Sequence, residues 1–208
     1  MFVMKSDEDW LPKALETLAQ GGCIAHATET CYGLACDMTN PQAIAHLFRI
    51  KQRGETQPVS ALFASVNEAK QYAEWSDRAE ALAKEYLPGP LTLILPLRED
   101  APFSLFPFPF SLVGKEKKGG RAKGITIGVR ISPHPVALAL VRAFGKPLST
   151  TSANVHGAPN PYDAATILEQ FEGSPDAPDM IIDSGTLPKQ PPSRVVDITD
   201  DTEAVVRE

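Results

Sequence analysis

The sequence predicts an α/β fold in which helices cover a sheet containing parallel pairs, and three observations predict it. Strand-like and helix-like segments alternate through most of the 208 residues. The strand-like runs, such as "LTLILPL", "ITIGVR" and "DMIID", are short, apolar and bounded by turn residues. Several of the helical segments open on recognisable caps. No G-x-G-x-x-G follows the first strand, which argues against a dinucleotide-binding order of strands.

Residues 8–19, "EDWLPKALETLA", space their apolar side chains by three and four and predict an amphipathic helix that Gly21 and Gly22 stop. "CIAHAT" is a short strand. The following "TETCYGLACD" is too polar and Gly-interrupted to be its simple continuation, and reads as a strand with a bulge at Gly33. Asn40 and Pro41 form an N-cap and N1 pair for a helix to about Ile50. "PVSALFA" is a strand. Ser65 and Glu68 form a capping box for "VNEAKQYAEW", and Ser76 caps a helix to Tyr86. "PGP" then leads into "LTLILPL". "ITIGVR" precedes a helix over "SPHPVALALVRAFG", with Ser132 as cap and Pro133 at N1. "KPLSTT" is a strand, 163–171 a short helix, and "DMIID" and "RVVDITD" late strands.

One domain over 1–208 is expected, with an atypical loop at about 101–124. That loop joins the Phe- and Pro-rich "APFSLFPFPFSLVG" to the basic "KEKKGGRAKG". It reads either as an idle insertion or as a lid hinged on its glycines. The acidic start "MFVMKSDEDW" has no apolar h-region, and the longest apolar runs are too short for a membrane span, so a cytoplasmic location and no membrane partner are expected. Cys23, Cys31 and Cys36 are odd in number and lack C-x-x-C spacing, which favours reduced thiols over a metal site. The four histidines share no ligand spacing either. A net charge of −6 argues against a broad nucleic-acid surface but allows a local cationic pocket.

Two segments point to such a pocket. In "LFRIKQRGETQPVSALF", Lys51 and Arg53 stand two residues apart where a helix gives way to a loop. On a helix they would face different sides, whereas in a turning segment they would converge into an anion site. Favourable interaction of two cations with the helix C-terminus is the simpler explanation. "STTSANVHGAPNP" ends a strand in four consecutive hydroxyl residues before a Gly/Pro loop, an arrangement that holds phosphate or carboxylate oxygens or merely shapes the turn. In "TETCYGLACD", Thr28 and Thr30 fall on one side of an extended chain and Glu29 on the other. No Ser-His-acid constellation, nucleophile elbow or P-loop is present.

The order "TETCYGL", "KQR", "PGPLTLIL", "GVRISPHP", "KPLSTTSANVHG", "SRVVD" resembles the YrdC-like family of threonylcarbamoyl-AMP synthases, of the short single-domain type, over roughly residues 8–199. The resemblance implies a twisted mixed sheet with helices packed around a deep cationic cavity. It implies formation of L-threonylcarbamoyl-AMP and pyrophosphate from L-threonine, bicarbonate and ATP, the first step of threonylcarbamoyladenosine modification of tRNA. Lys51, Arg53, Ser152 and Asn154 would be catalytic and ATP-binding; Gln57, Thr126, Asn160, Ser193 and Arg194 would also face the nucleotide. Thr30, Arg130, Thr150 and Ser184 would face threonine, with Arg130 on its carboxylate. Magnesium would be bound through the ATP phosphates. The implied partners are a downstream tRNA threonylcarbamoyl transferase complex and, by weak contact, tRNA.

The chain departs from the family pattern at Ala27 (usually Pro), Gln57 (often Lys) and His156 (usually small), and in the length of 101–124. Two other readings remain at this stage. One is a carbamoyl-adenylate-forming relative, which normally carries zinc-finger and acylphosphatase-like modules absent here. The other is an RNA-binding or translation-associated module without synthase activity.

Overall fold

The computed structural model describes residues 1–52, 59–101, 125–199 and 203–207. Along the chain these form β1 (Phe2–Lys5), α1 (Leu11–Ala19), β2 (Ile24–Ala27), β3 (Tyr32–Ala35), α2 (Pro41–Lys51), β4 (Ser60–Leu62), α3 (Val66–Ala69) and α4 (Asp77–Tyr86). There follow β5 (Leu91–Pro96), β6 (Thr126–Arg130), α5 (Pro135–Phe144), β7 (Leu148–Ser152), α6 (Ala164–Gln170), β8 (Met180–Asp183), β9 (Arg194–Asp197) and β10 (Ala204–Arg207). The strands form one mixed sheet in the order β1-β8-β2-β3-β7-β4-β6-β5-β9-β10. Pairs β1–β8, β2–β8, β4–β6 and β5–β9 are parallel. The expected loop at 101–124 lies, beyond Ala101, outside the described residues.

Local chemistry accounts for most helix starts. The Asn40 side chain accepts from the Gln42 amide at 2.9 Å and opens α2 with Pro41 behind it. Ser76 and Asp163 cap α4 and α6 in the same way. Ser65 caps α3, but the Glu68 carboxylate takes the Ala64 amide, and the helix stops at Ala69 instead of running to Trp75. The start of α5 corrects the expected Ser132 cap. In "SPHP", Ser132 and His134 each precede a proline, which bars both from helical backbone. The helix therefore begins at Pro135, and His134 caps it with ψ 129°.

β2 and β3 form an antiparallel hairpin with His26 opposite Gly33 and no register shift, so the expected bulge at Gly33 is absent. The two edge strands, β1 and β10, were not foreseen. Both are mostly exposed; β1 takes its place by pairing with β8, distant in sequence, and β10 by pairing with β9.

Side chains alternate across the sheet and sort it into functional faces. Leu91, Leu93 and Leu95 of β5 and Ile127 and Val129 of β6 enter the larger core, with residues from α2, α4 and α6. A second core joins α1 and α5 to Ile24, Ala35, Leu62, Leu148, Met180 and Ile182. Each such fully buried aliphatic side chain contributes about 1.5–3 kcal/mol. The alternate residues, Thr92 and Ile94 of β5 and Gly128 and Arg130 of β6, line a cavity instead.

Candidate functional site: a hydroxyl-lined cavity with buried arginine

The cavity measures about 500 Å³, within the usual range for a small-molecule site. β7 supplies Thr150, Thr151 and Ser152; β3 supplies Gly33; the β2–β3 turn supplies Thr28, Thr30 and Cys31. Ser60, Asn160 and Ser193 complete much of the polar wall. The charged residues among the described lining are Arg130 and Arg207, with no carboxylate among them. Gly128 lets neighbouring strands close up, since a Cβ there would stand 2.7 Å from Ser60 Oγ.

Lys51 lies behind this wall, only 3% exposed. Its Nζ donates to Ser152 O at 2.6 Å, Asn154 O at 2.7 Å and Asn154 Oδ1 at 2.6 Å. Ser152 Oγ donates to the same Asn154 Oδ1 at 2.6 Å, and Asn154 Nδ2 donates to Ala158 O. The Lys51 carbonyl accepts from the His156 amide at 2.9 Å. Lys51 thus fastens the end of α2 to the loop after β7. Gln52, in left-handed conformation at φ 49°, caps the helix immediately afterwards.

At the other side of the wall, the residues after β2 bend rather than extend. Thr28 Oγ1 donates to Cys31 O at 2.6 Å and lies 3.1 Å from Thr30 Oγ1. The bend sends Glu29 toward Arg130 and Ser132: Arg130 Nη2 donates to one carboxylate oxygen and Ser132 Oγ to the other. Arg130 is 4% exposed, and its Nη1 is buried without a hydrogen-bond partner. A buried guanidinium nitrogen without a partner retains its full capacity to donate to an anion.

Burial governs the titrations. It lowers the Arg130 pKa, an effect that the nearby Glu29 carboxylate opposes. Burial raises the Cys31 thiol, leaving it a poor nucleophile. Burial also lowers His26 to about 4; its Nδ1 lies 3.1 Å from Ala27 O, and its Nε2 is buried without a partner.

Of the residues singled out from sequence, Thr30, Arg130, Thr150, Ser152, Asn160 and Ser193 converge on the cavity. Lys51 and Asn154 stand directly behind Ser152. Three others do not line it. Thr126 is buried at the start of β6 opposite Pro96. Ser184 gives its amide to Tyr32 Oη at 2.8 Å, with its own hydroxyl buried and unpartnered. Arg194 pairs with Glu203 at 3.0 Å. Arg53 and Gln57 lie outside the described residues. Sequence reasoning missed Ser60, Thr92, Gly128 and Arg207 as lining residues, and Glu29 as the partner of Arg130. The alternation of "LTLIL" and "TIGVR" carried the signal for Thr92 and Gly128, because each shares a face with a residue two positions on. Nothing local marked Arg207.

A family model for Sua5/YciO/YrdC proteins, described as "Telomere recombination", matches residues 16–208. The threonylcarbamoyl-AMP synthase of Marinobacter nauticus is 32% identical over 190 residues, covering 90% of each chain. The crystal structure of Pyrococcus abyssi Sua5 complexed with L-threonine superposes with a TM-score of 0.81 at 30% identity, over 99% of this chain and 56% of that one. The crystal structure of Escherichia coli YciO gives 0.79 at 29% identity, over 100% of this chain and 94% of that one. The chain spans about half the length of the Pyrococcus abyssi and Bacillus subtilis synthases it matches, 52% and 54%. Sequence match, mixed sheet and placement of the motif residues agree: the chain belongs to the Sua5/YciO/YrdC family.

Proposed function

We propose that this chain joins L-threonine, bicarbonate and ATP into L-threonylcarbamoyl-AMP and pyrophosphate. The observation that carries the reading is one cavity walled by both sets of expected residues: Thr30, Arg130 and Thr150 for threonine, and Ser152, Asn160 and Ser193 for the nucleotide. The names of the Marinobacter nauticus relative and of the Pyrococcus abyssi threonine complex support it.

The chemistry suits these groups. The neutral threonine amine and bicarbonate give a carbamate and water. A carbamate oxygen then bonds to the α-phosphorus, and the bond to the β-phosphate oxygen breaks with pyrophosphate leaving. Every reactant carries negative charge, so the obstacles are repulsion and alignment. Hydroxyl donors and a partly desolvated guanidinium address both without a covalent enzyme intermediate. Arg130 Nη1 would take the threonine carboxylate. Lys51 would act through the loop it fastens, holding Ser152 toward the phosphates. Magnesium would enter with ATP, its ligands supplied by phosphate oxygens and water. Among the described residues no group of three His, Cys, Asp or Glu side chains could cage it. A cytoplasmic location, a downstream transferase complex and a tRNA product belong to the same reading.

Threonine-dependent pyrophosphate release, with mass spectrometry of the adenylate, tests this. Product requiring all three substrates is expected; pyrophosphate release unaffected by omitting threonine would overturn the reading. The alternative is a module without synthase activity. That reading predicts no pyrophosphate and salt-dependent RNA binding.

A further inference from the structure

The direction in which Arg130 meets the cavity is set from behind the wall. Its backbone is fixed in β6, opposite Leu62 of β4 and Thr92 of β5. A fixed backbone still leaves a long side chain several rotamers. Glu29 removes that freedom. Its side chain is only 16% exposed, and its two carboxylate oxygens have separate partners: Oε1 accepts from Arg130 Nη2 and Oε2 from Ser132 Oγ. Ser132 is itself buried, and its Oγ also accepts from the His134 amide at 3.2 Å. His134 caps α5 by accepting from the Val136 amide at 3.3 Å. The guanidinium is thus tied, through one carboxylate and one hydroxyl, to the start of a ten-residue helix. Arg130 lines the cavity, whereas Glu29 is not among the lining residues.

We propose that Glu29 is a positioning residue of the threonine subsite: it fixes the plane of the Arg130 guanidinium and thereby the aim of the unpartnered Nη1 at the substrate carboxylate. The inference rests on the adenylate-forming reading and deepens it. Glu29 acts through Arg130 and not on the substrate. Two of its effects oppose each other. Its negative charge weakens the pull of Arg130 on a second carboxylate. Its hydrogen bond orders a side chain rich in rotamers beforehand, so that little freedom remains to be lost when threonine binds. Orientation outweighs charge. The substrate carboxylate meets Nη1, the nitrogen that Glu29 leaves without a bond, so attraction persists beside the pair. A guanidinium turned out of plane loses the directional contact altogether.

Steady-state kinetics on the parent, Glu29→Ala, Glu29→Gln and Ser132→Ala test the assignment, with threonine varied at saturating ATP and bicarbonate, and ATP varied at saturating threonine. Glu29→Ala removes charge and acceptor together. It should raise the threonine KM at least about tenfold, the scale of losing a charged hydrogen bond, and leave the ATP KM within about twofold. Glu29→Gln keeps an acceptor for Nη2, and its amide can donate to Ser132 Oγ, so the threonine KM should stay within about threefold of the parent. Ser132→Ala keeps the ion pair but cuts its tie to α5, and should raise the threonine KM about threefold to tenfold. It also keeps the test decisive should Glu29→Ala fail to fold. If Glu29→Gln is as impaired as Glu29→Ala, or if neither Glu29→Ala nor Ser132→Ala moves the threonine KM, the inference is wrong while the reaction stands. Equal rises in the threonine and ATP KM would sink it in the same way. If the parent forms no adenylate, the reaction reading fails and takes the inference with it.

Discussion

Lys51 and Arg130 are equally hidden, at 3% and 4% exposure, yet they occupy opposite kinds of environment. Lys51 is ringed by carbonyl and amide oxygens of one loop, and its contacts fix that loop's shape. Arg130 is matched to one carboxylate on one nitrogen and is buried without a partner on another. The first arrangement uses a cation as a fastener; the second leaves one donor without a partner in the folded chain. A buried charge is therefore no guide to function until its partners are counted. The sequence marks both as substrate-facing cations, and their partners in the fold separate them.

Replacing Lys51 tests the fastener role most severely. Lys51→Met strips donors from several buried oxygens at once and should lower unfolding stability by about 3 kcal/mol, measured by urea denaturation. ATP affinity should fall with it, because Ser152 and Asn154 lose their anchor. A variant as stable as the parent would mean that the loop holds its own shape.

For Arg130→Met the loss should concentrate on one substrate. At saturating ATP, kcat/KM for threonine should drop about 10²-fold or more. Threonine titrations showing an unchanged KM would remove Arg130 from carboxylate recognition.

His26 extends the comparison to a buried base whose Nε2 has no partner, and which therefore stays neutral. Its pKa is lowered from 6.5 to about 4, so between these values the unfolded chain takes up a proton that the folded chain refuses. Stability should fall as pH drops through that window, by roughly 3 kcal/mol in all, and level off below about 4. His26→Gln should flatten this acid limb; an identical pH profile in the two proteins would refute it.

The smallest effect is expected at Arg194. It pairs with Glu203 and does not line the cavity, so Arg194→Ala should cost no more than about 1 kcal/mol of stability. ATP KM should change less than about twofold. A large rise would mean that Arg194 leaves Glu203 when the nucleotide binds.

What was legible in the sequence was what local physics controls. Asn40, Ser65 and Ser76 announced helix starts because a short side-chain oxygen meets unpaired amides within three residues. The leucines of "LTLILPL" announced a strand, and the motif residues announced a cavity that six of them line. The exceptions were local conflicts: the prolines of "SPHP" moved the α5 cap from Ser132 to His134, and α3 ended after one turn.

The chain alone therefore determined the α/β alternation, most element positions and the chemical character of the site, since periodicity, caps and residue types act over a few residues. Tertiary structure decided which partners each charged group meets. Lys51 became a fastener because β7 and its loop, about a hundred residues away, placed oxygens around it. Glu29 became the partner of Arg130 because the β2–β3 turn bends toward β6. Arg207 entered the cavity through a register slip at the sheet edge. Each depends on pairing between segments far apart in sequence or on a slip in that pairing, and no local pattern specifies such contacts.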